Sequence, residues 1–382
     1  VNRESRVHVI GAGLAGLSAA VRLNRAGVNV SVHETARHAG GRCRSFYDDH
    51  LDAVIDNGSH LLLSGNRDVL DFLNLTGGRD GMMESSRAAF DFFDLANGTH
   101  WCVDLGRGQG KLSLLSWLFD TQRHPPGFSP FAFFKDVRAL QKGRGKTVSA
   151  CVDTATDLYR HFWRPMCLAV LNVEPERAAA DMIGAVLDET VLKGGAFAKP
   201  LFAVNGLGPA LVDPAVAWLQ QQGVDLHFQR RITALEVEAH RIHCIAFAHA
   251  AEVLSEGDAV ILAVPHHGVS DLVAGVTAPM TSRAILNVHY QNEHSVETPR
   301  MLGLVGGQAE WLFQRGSVIS VTISNAEAWM DKDTDAIAHA LWPEVALATG
   351  HWGVEQKRDV PPYRVIKERR ATFAATPEAL AM

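Results

Sequence analysis

At 382 residues, 47% hydrophobic and 20% charged, the chain has ordinary globular composition and is long enough for two domains. Its 36 basic and 42 acidic side chains give a net charge of −6, which argues against a nucleic-acid partner. Five scattered cysteines without a CxxC (Cys43, Cys102, Cys151, Cys167, Cys244) point to reduced thiols in a cytoplasmic setting. The 18 histidines fall in no recognised ligand spacing, so no metal is expected. The apolar N-terminal run reads as a fold element rather than a secretory signal, and no run reaches the roughly 18 apolar residues of a spanning helix.

The first element is a buried strand, Val7 to Ile10, which runs into Gly11-Ala12-Gly13-Leu14-Ala15-Gly16 and then a helix with Leu14, Leu17 and Val21 on one face. Gly11 permits a tight turn, Gly13 lets backbone approach a pyrophosphate, and Gly16 lets helix and strand pack closely. The helix start, from Ala12 through Leu14 and Ala15, offers backbone N–H groups and a positive dipole end to phosphate. Gly27 ends the helix, a strand follows from Val28 to Val32, and Glu34 stands at its end. A carboxylate placed there accepts hydrogen bonds from ribose hydroxyls, so strand, turn, helix and acid together specify a dinucleotide site. Next come the doublet Gly40-Gly41-Arg42, closed by Ser45, and the loop Asp56-Asn57-Gly58-Ser59-His60. Arg42 suits an oxyanion partner.

Residues 1–84 therefore read as the first part of a cofactor domain and 85–195 as an inserted, mostly helical cap. The cap opens with two strands, Phe90 to Leu95 and Trp101 to Leu105, and continues in helices over 155–170 and 181–192. Within it, 112–119 and 128–134 are strongly apolar and aromatic, and Lys135, Lys142, Arg144 and Lys146 follow. Aromatic residues beside a basic cluster suit an interfacial membrane contact over 112–119 and 128–146; burial in the cap core is the equal alternative. Residues 196–265 return to the cofactor domain with a helix after Asn205-Gly206-Leu207-Gly208, then strands over 224–228, 231–237 and 258–264. From 266 to 382 a second sheet is expected, with strands over 284–289, 301–305, 311–313, 318–323 and 364–367 and a helix over 336–342. Gly206-x-Gly208 lacks a third glycine, which argues against a second, built-in nicotinamide dinucleotide site.

The doublet-glycine block resembles the signature of the flavoprotein amine oxidase and carotenoid desaturase superfamily. More narrowly, 7–16, 39–45, DNGSHLLLSGN at 56–66, NGLGPALVDPAVA at 205–217 and RATFAATP at 370–377 look like the hydroxysqualene dehydroxylase family. The resemblance implies an α/β fold in which an FAD-binding Rossmann-like domain of the glutathione-reductase type interleaves with an α+β substrate domain. It implies that Gly40, Gly41 and Arg42 lie along the cofactor and that Gly58 and Ser59 pass beside the flavin. It also implies adenine contact by the backbone of Ile232 and a cofactor-covering segment ending near Ala263. The family pattern continues past RATFAATP into a strand, a Gly-Asp flavin contact and a closing helix; this sequence stops at Met382, so that segment is expected to be missing from it.

The implied reaction is reductive removal of the hydroxyl of hydroxysqualene, giving squalene for hopanoid synthesis. It requires an acid to protonate the leaving oxygen, a water-poor apolar cavity, reduced flavin and an external electron donor. Asp56 and His60 are the candidates for the acid, with loop capping the competing role for Asp56. The expected setting is peripheral, on the cytoplasmic membrane. A carotenoid desaturase or amine oxidase of the same superfamily, or a non-catalytic lipid-binding protein of the same fold, are the alternatives.

Overall fold

The computed structural model describes residues 5–354 and 359–382, with the side chains of 111 and 112 outside that description. The chain gathers into two compact units, each made of three segments: Val1–Phe46, Asp68–Gly81 and Asn205–Met280 in the first, Tyr47–Arg67, Met82–Val204 and Thr281–Met382 in the second. These boundaries differ from the predicted segments. The loop carrying Asp56 and His60 clusters with the second unit, where Arg315 donates to the carboxylate of Asp56 and to the carbonyl of Val54.

In the first unit the strand Arg6–Ile10 lies in a four-stranded parallel sheet, ordered Asp225–His227, Asn29–His33, Arg6–Ile10, Ala259–Leu262. β-Branched residues fill its centre, and Val9, Val30 and Val32 are buried. The helix Leu14–Arg25 buries Leu17, Ala20 and Val21 at helical spacing and ends at Ala26, just before Gly27 with φ +81°. An antiparallel meander, Ile232–Glu238, Arg241–Phe247 and Ala251–Val253, packs Leu235, Ile245 and Phe247 onto Ile10. Because side chains alternate along a strand, His8, Ser31 and His33 share the meander-facing side of the sheet with Ile10.

The second unit holds a curled sheet: Trp311–Ile323, Ser282–Val305, Ala88–Asp94 and His100–Gly106 in order, with Tyr363–Phe373 also on Ser282–Val305. The sequence suggests four short strands where two long ones run. The stretch between the expected strands 284–289 and 301–305 stays extended through a bulge, between the pairs Gln291↔Val318 and Arg300↔Gln314. Side chains supply the bonds that the irregular ladder lacks: Gln314 and Asn292 donate to the carbonyl of His294, and Arg300 donates to Gln314 Oε1. The helix expected at 336–342 runs from Thr334 to Gly350, through Pro343. Asp333 caps it, accepting from the N–H groups of Asp335 and Ala336, and the buried stripe Ile337, Leu341, Val345, Ala348 carries it past the proline.

The helices Gly110–Leu118, Pro130–Gln141, Arg164–Leu171 and Ala180–Glu189 build the cap core around Trp117, Phe133 and Trp163. Phe133 stacks on Trp163 with ring centroids 5.6 Å apart, and the indole N–H of Trp163 is satisfied by buried Asp136 at 2.9 Å.

Candidate cofactor and active site

The glycine loop is shaped by contacts that only glycine tolerates. Gly11 has φ +107°, and a Cβ on it would lie 2.5 Å from the carbonyl oxygen of Ala263. A Cβ on Gly16 would lie 1.8 Å from the carbonyl oxygen of Gly11. The helix start thus comes as close to the strand turn as backbone permits. Gly13 differs: its φ of −72° and ψ of 177° suit any residue, and a Cβ there would meet nothing within 4 Å. The freedom at Gly13 faces open space, as a cradle for a backbone-hugging ligand requires.

Two further segments lock this loop. Gly40, with φ +105°, donates its N–H to the carbonyl of Ala12 at 2.8 Å and bridges Gly13. Gly41, with φ +54°, passes so near that a Cβ would sit 3.5 Å from the Cα of Gly13. Glu34 accepts from the N–H of Ala12 at 2.7 Å and of Ala36 at 2.8 Å. Its carboxylate therefore fixes the turn while its remaining lone pairs stay available to hydroxyl donors. The backbone of Glu34 bonds His227 and Arg230, which leads the chain into Ile232. Ala263 donates its N–H to Ile10, closing the other side of Gly11. Leu14 and Ala15 stand in the first helical turn, with Ala15 and Arg42 exposed.

One anchor of this site goes unremarked among the candidate residues. Ser45 Oγ accepts from the N–H of Gly208 at 2.8 Å, and a Cβ on Gly208 would lie 2.8 Å from the nitrogen of Ser45. A Cβ on Gly40 would press on Val212 at 3.0 Å. The Asn205–Gly208 turn thus backs the doublet-glycine loop. Its signal in the sequence is the second Gly-x-Gly, legible as a helix start but not as a partner for residue 45.

In the second unit Asp56 is buried and its carboxylate is held by Arg315. A Cβ on Gly58 would lie 3.1 Å from Asn287 Nδ2, and Asn287 Oδ1 accepts from Thr322 at 2.8 Å. The loop is thereby seated on strand side chains, with Ser59 half-buried and His60 exposed at its tip. Although its surface is open, His60 is closely surrounded by protein, and that surrounding lowers its pKa by partial desolvation. Buried His289 bonds Ser320 at 2.7 Å; burial, opposed by Asp56 and aided by Arg315, lowers it to about 4. Glu310 is a second group that the sequence does not single out. It accepts from the N–H of Ser324 at 2.8 Å, and burial raises its pKa to about 7.

The two apolar cap segments divide their residues. Trp117, Leu118, Phe133, Val137 and Leu140 are core, whereas Leu115, Phe119, Phe131 and Phe134 face out, Phe119 at 78% and Phe131 at 83% exposure. Lys135, Arg138, Lys142, Arg144 and Lys146 are exposed along the same stretch. The helices meet at Trp117 and Phe133, whose centroids are 5.4 Å apart. Leu112 lies outside the described side chains. No helix among the described residues is long and apolar enough to cross a membrane.

The residues of the first unit fit an adenine dinucleotide: a clear backbone cradle at Gly13, a fixed carboxylate at the second strand end, and two glycine loops stitched together. The sequence profile of the flavin containing amine oxidoreductases matches residues 14–298. The chain is 40% identical to a hydroxysqualene dehydroxylase of Rhodopseudomonas palustris over 97% of its own length and 87% of that protein's. It is 38% identical to one of Sinorhizobium fredii, covering 98% and 88%. Its fold is similar to that of cyclohexylamine oxidase from Brevibacterium oxydans, with a TM-score of 0.66 at 13% identity, covering 98% and 87%.

Proposed function

From the premise that this chain belongs to the flavin containing amine oxidoreductase family and, within it, to the hydroxysqualene dehydroxylases, we propose that it converts hydroxysqualene to squalene by reductive dehydroxylation. The observation that carries this reading is near-full-length similarity to hydroxysqualene dehydroxylases, joined to a glycine framework fitted to a dinucleotide. The protein is an FAD-dependent oxidoreductase. When bound and reduced, FAD supplies the hydride for such a reaction.

The chain's own residues have separate tasks in this reading. Gly11 to Gly16, Gly40, Gly41 and Arg42 hold the pyrophosphate region, Glu34 holds the ribose, and Ile232 and Ala263 border the adenine and the covering segment. Gly58 and Ser59 line the flavin side. Asp56, already paired with Arg315, fixes the loop. His60, at the loop tip, handles the proton that converts the departing hydroxyl to water. Two electrons and two protons balance the exchange of C–OH for C–H plus water, and the electrons come from an external donor.

The substrate is an oily isoprenoid, and Leu115, Phe119, Phe131 and Phe134 with the adjacent lysines and arginines support docking on an anionic membrane surface. The direct test is anaerobic incubation of photoreduced, FAD-loaded protein with hydroxysqualene, beside the oxidised, FAD-loaded protein with phytoene and with a polyamine. Squalene from the first, with no oxidised product and no flavin reduction from the other two, is the expected result. Unchanged alcohol with full flavin loading refutes the assignment.

A further inference from the structure

We propose that His8, His33 and Glu252 form a binding site for one zinc-class divalent cation between the parallel sheet and the meander. Two of the three ligands sit on adjacent parallel strands, where the register sets Ser31 beside His8 and His33 beside Ile10. The third comes from the last strand of the meander, Ala251–Val253. Both imidazoles are wholly buried, and Glu252 is nearly so at 17% side-chain exposure.

The donor atoms converge. His8 Nδ1 and His33 Nε2 are 3.3 Å apart, and Ser31 Oγ lies 3.0 Å from the first and 3.2 Å from the second. Tetrahedral bonds of about 2.0–2.1 Å to two imidazole nitrogens place those nitrogens about 3.3 Å from each other, the separation found here. Glu252 presents Oε1 at 3.7 Å from His8 Nδ1 and Oε2 at 4.0 Å from His33 Nε2. Those distances are beyond a hydrogen bond, and a shift of the flexible carboxylate by less than about 1 Å brings it to ligand-to-ligand spacing around one ion. Arg230 donates to Oε2 at 3.2 Å, which partly offsets the carboxylate charge.

Ser31 Oγ donates to one imidazole and accepts from the other when no ion is bound. A cation would engage both nitrogens and the carboxylate at once, with Ser31 Oγ at the fourth corner. Two imidazoles with one carboxylate select borderline metals of the zinc, cobalt and nickel class over magnesium or calcium. The ligands arise at positions 8, 33 and 252, on three strands, so no local spacing announces them and the sequence reading expects no metal. The site would fasten meander to sheet directly behind Glu34, the neighbour of His33, and its role is structural.

The test uses the full-length protein expressed in medium supplemented with Co2+ or with Zn2+, since a buried site is filled as the chain folds. Metal content is measured after gel filtration, with visible absorption of Co2+ read at wavelengths beyond the oxidised flavin bands. The expected result is one Co2+ or Zn2+ per chain, intense four-coordinate Co2+ bands, and at least a tenfold loss of retained metal in Glu252→Gln with flavin loading unchanged. His33→Asn is the second variant; should it not fold, the isosteric Glu252→Gln decides. Wild-type protein that retains neither metal overturns the proposal. So do Co2+ bands and stoichiometry that are the same in wild type and Glu252→Gln.

Discussion

Replacing Gly13 by alanine separates cofactor affinity from folding, because the two glycines flanking it fail for a different reason. At Gly13 the backbone is extended and a methyl group meets no protein atom within 4 Å. A Gly→Ala change at a compatible conformation stabilises a fold by about 0.4–1 kcal/mol through the unfolded chain. The deflavinated Gly13→Ala protein should therefore melt no lower than wild type. The methyl group occupies the space in front of the helix start, so it holds the pyrophosphate off at least one backbone N–H. A hydrogen bond to a charged group is worth about 1.5–3 kcal/mol, and 1.4 kcal/mol is tenfold in affinity. The FAD dissociation constant should rise about 10- to 100-fold. Gly16→Ala is the contrast: its Cβ would collide with the Gly11 carbonyl at 1.8 Å, so both melting temperature and affinity should fall. Scanning calorimetry of the apoprotein and titration with FAD, followed by flavin fluorescence, measure the two quantities. Wild-type FAD affinity in Gly13→Ala, or an apoprotein melting several degrees lower, refutes the cradle.

Other outcomes follow from the second unit. His60→Gln should lower kcat by roughly 100-fold or more, the scale of a lost general acid, while FAD binding stays intact; wild-type kcat assigns the proton elsewhere. The wild-type rate should fall as pH rises through the depressed His60 pKa, and a flat profile contradicts that role. Asp56→Ala should cost about 1–3 kcal/mol in urea unfolding, because Arg315 loses its carboxylate partner and keeps only the Val54 carbonyl; near-neutrality would show the pair to be ornamental. Glu310 has its folded pKa raised from 4.5 to about 7, so the folded state holds a proton that the unfolded state releases. Stability should fall as pH climbs from the unfolded value through the folded one, by at most ~3 kcal/mol, and Glu310→Gln should remove that slope; parallel curves for the two proteins refute it. Changing Phe119, Phe131 and Phe134 together to serine should abolish sedimentation with phosphatidylglycerol vesicles without lowering the melting temperature, and unchanged sedimentation refutes membrane docking.

What the sequence discloses and what it withholds divide by range. Gly11, Gly16, Gly40 and Gly41 are legible because their requirements are local: a positive φ or a neighbouring carbonyl a few residues away. Glu34 is legible because a strand of known length fixes where its carboxylate falls. Ser45 with Gly208, 163 positions apart, and Asp56 with Arg315, 259 apart, are not legible, since nothing near either partner names the other. The continuity of strand across the gap between 289 and 301 is not legible for a physical reason: its bulge is satisfied by Asn292, Arg300 and Gln314 rather than by a regular ladder. The aromatic cap segments are ambiguous in composition, and the fold resolves them residue by residue, Phe133 inward and Phe131 outward.

The parallel sheet has a consequence for synthesis. The strand Arg6–Ile10 gains one neighbour early, Asn29–His33, yet the strand on its other side begins only at Ala259. At translation rates of about 5–20 residues per second, Val7 and Val9 wait on the order of ten seconds or longer for the strand that will flank them. A nascent chain in that interval presents an oily, unzipped edge. Its yield in vivo should depend on whatever shields that edge until the last parallel strand arrives.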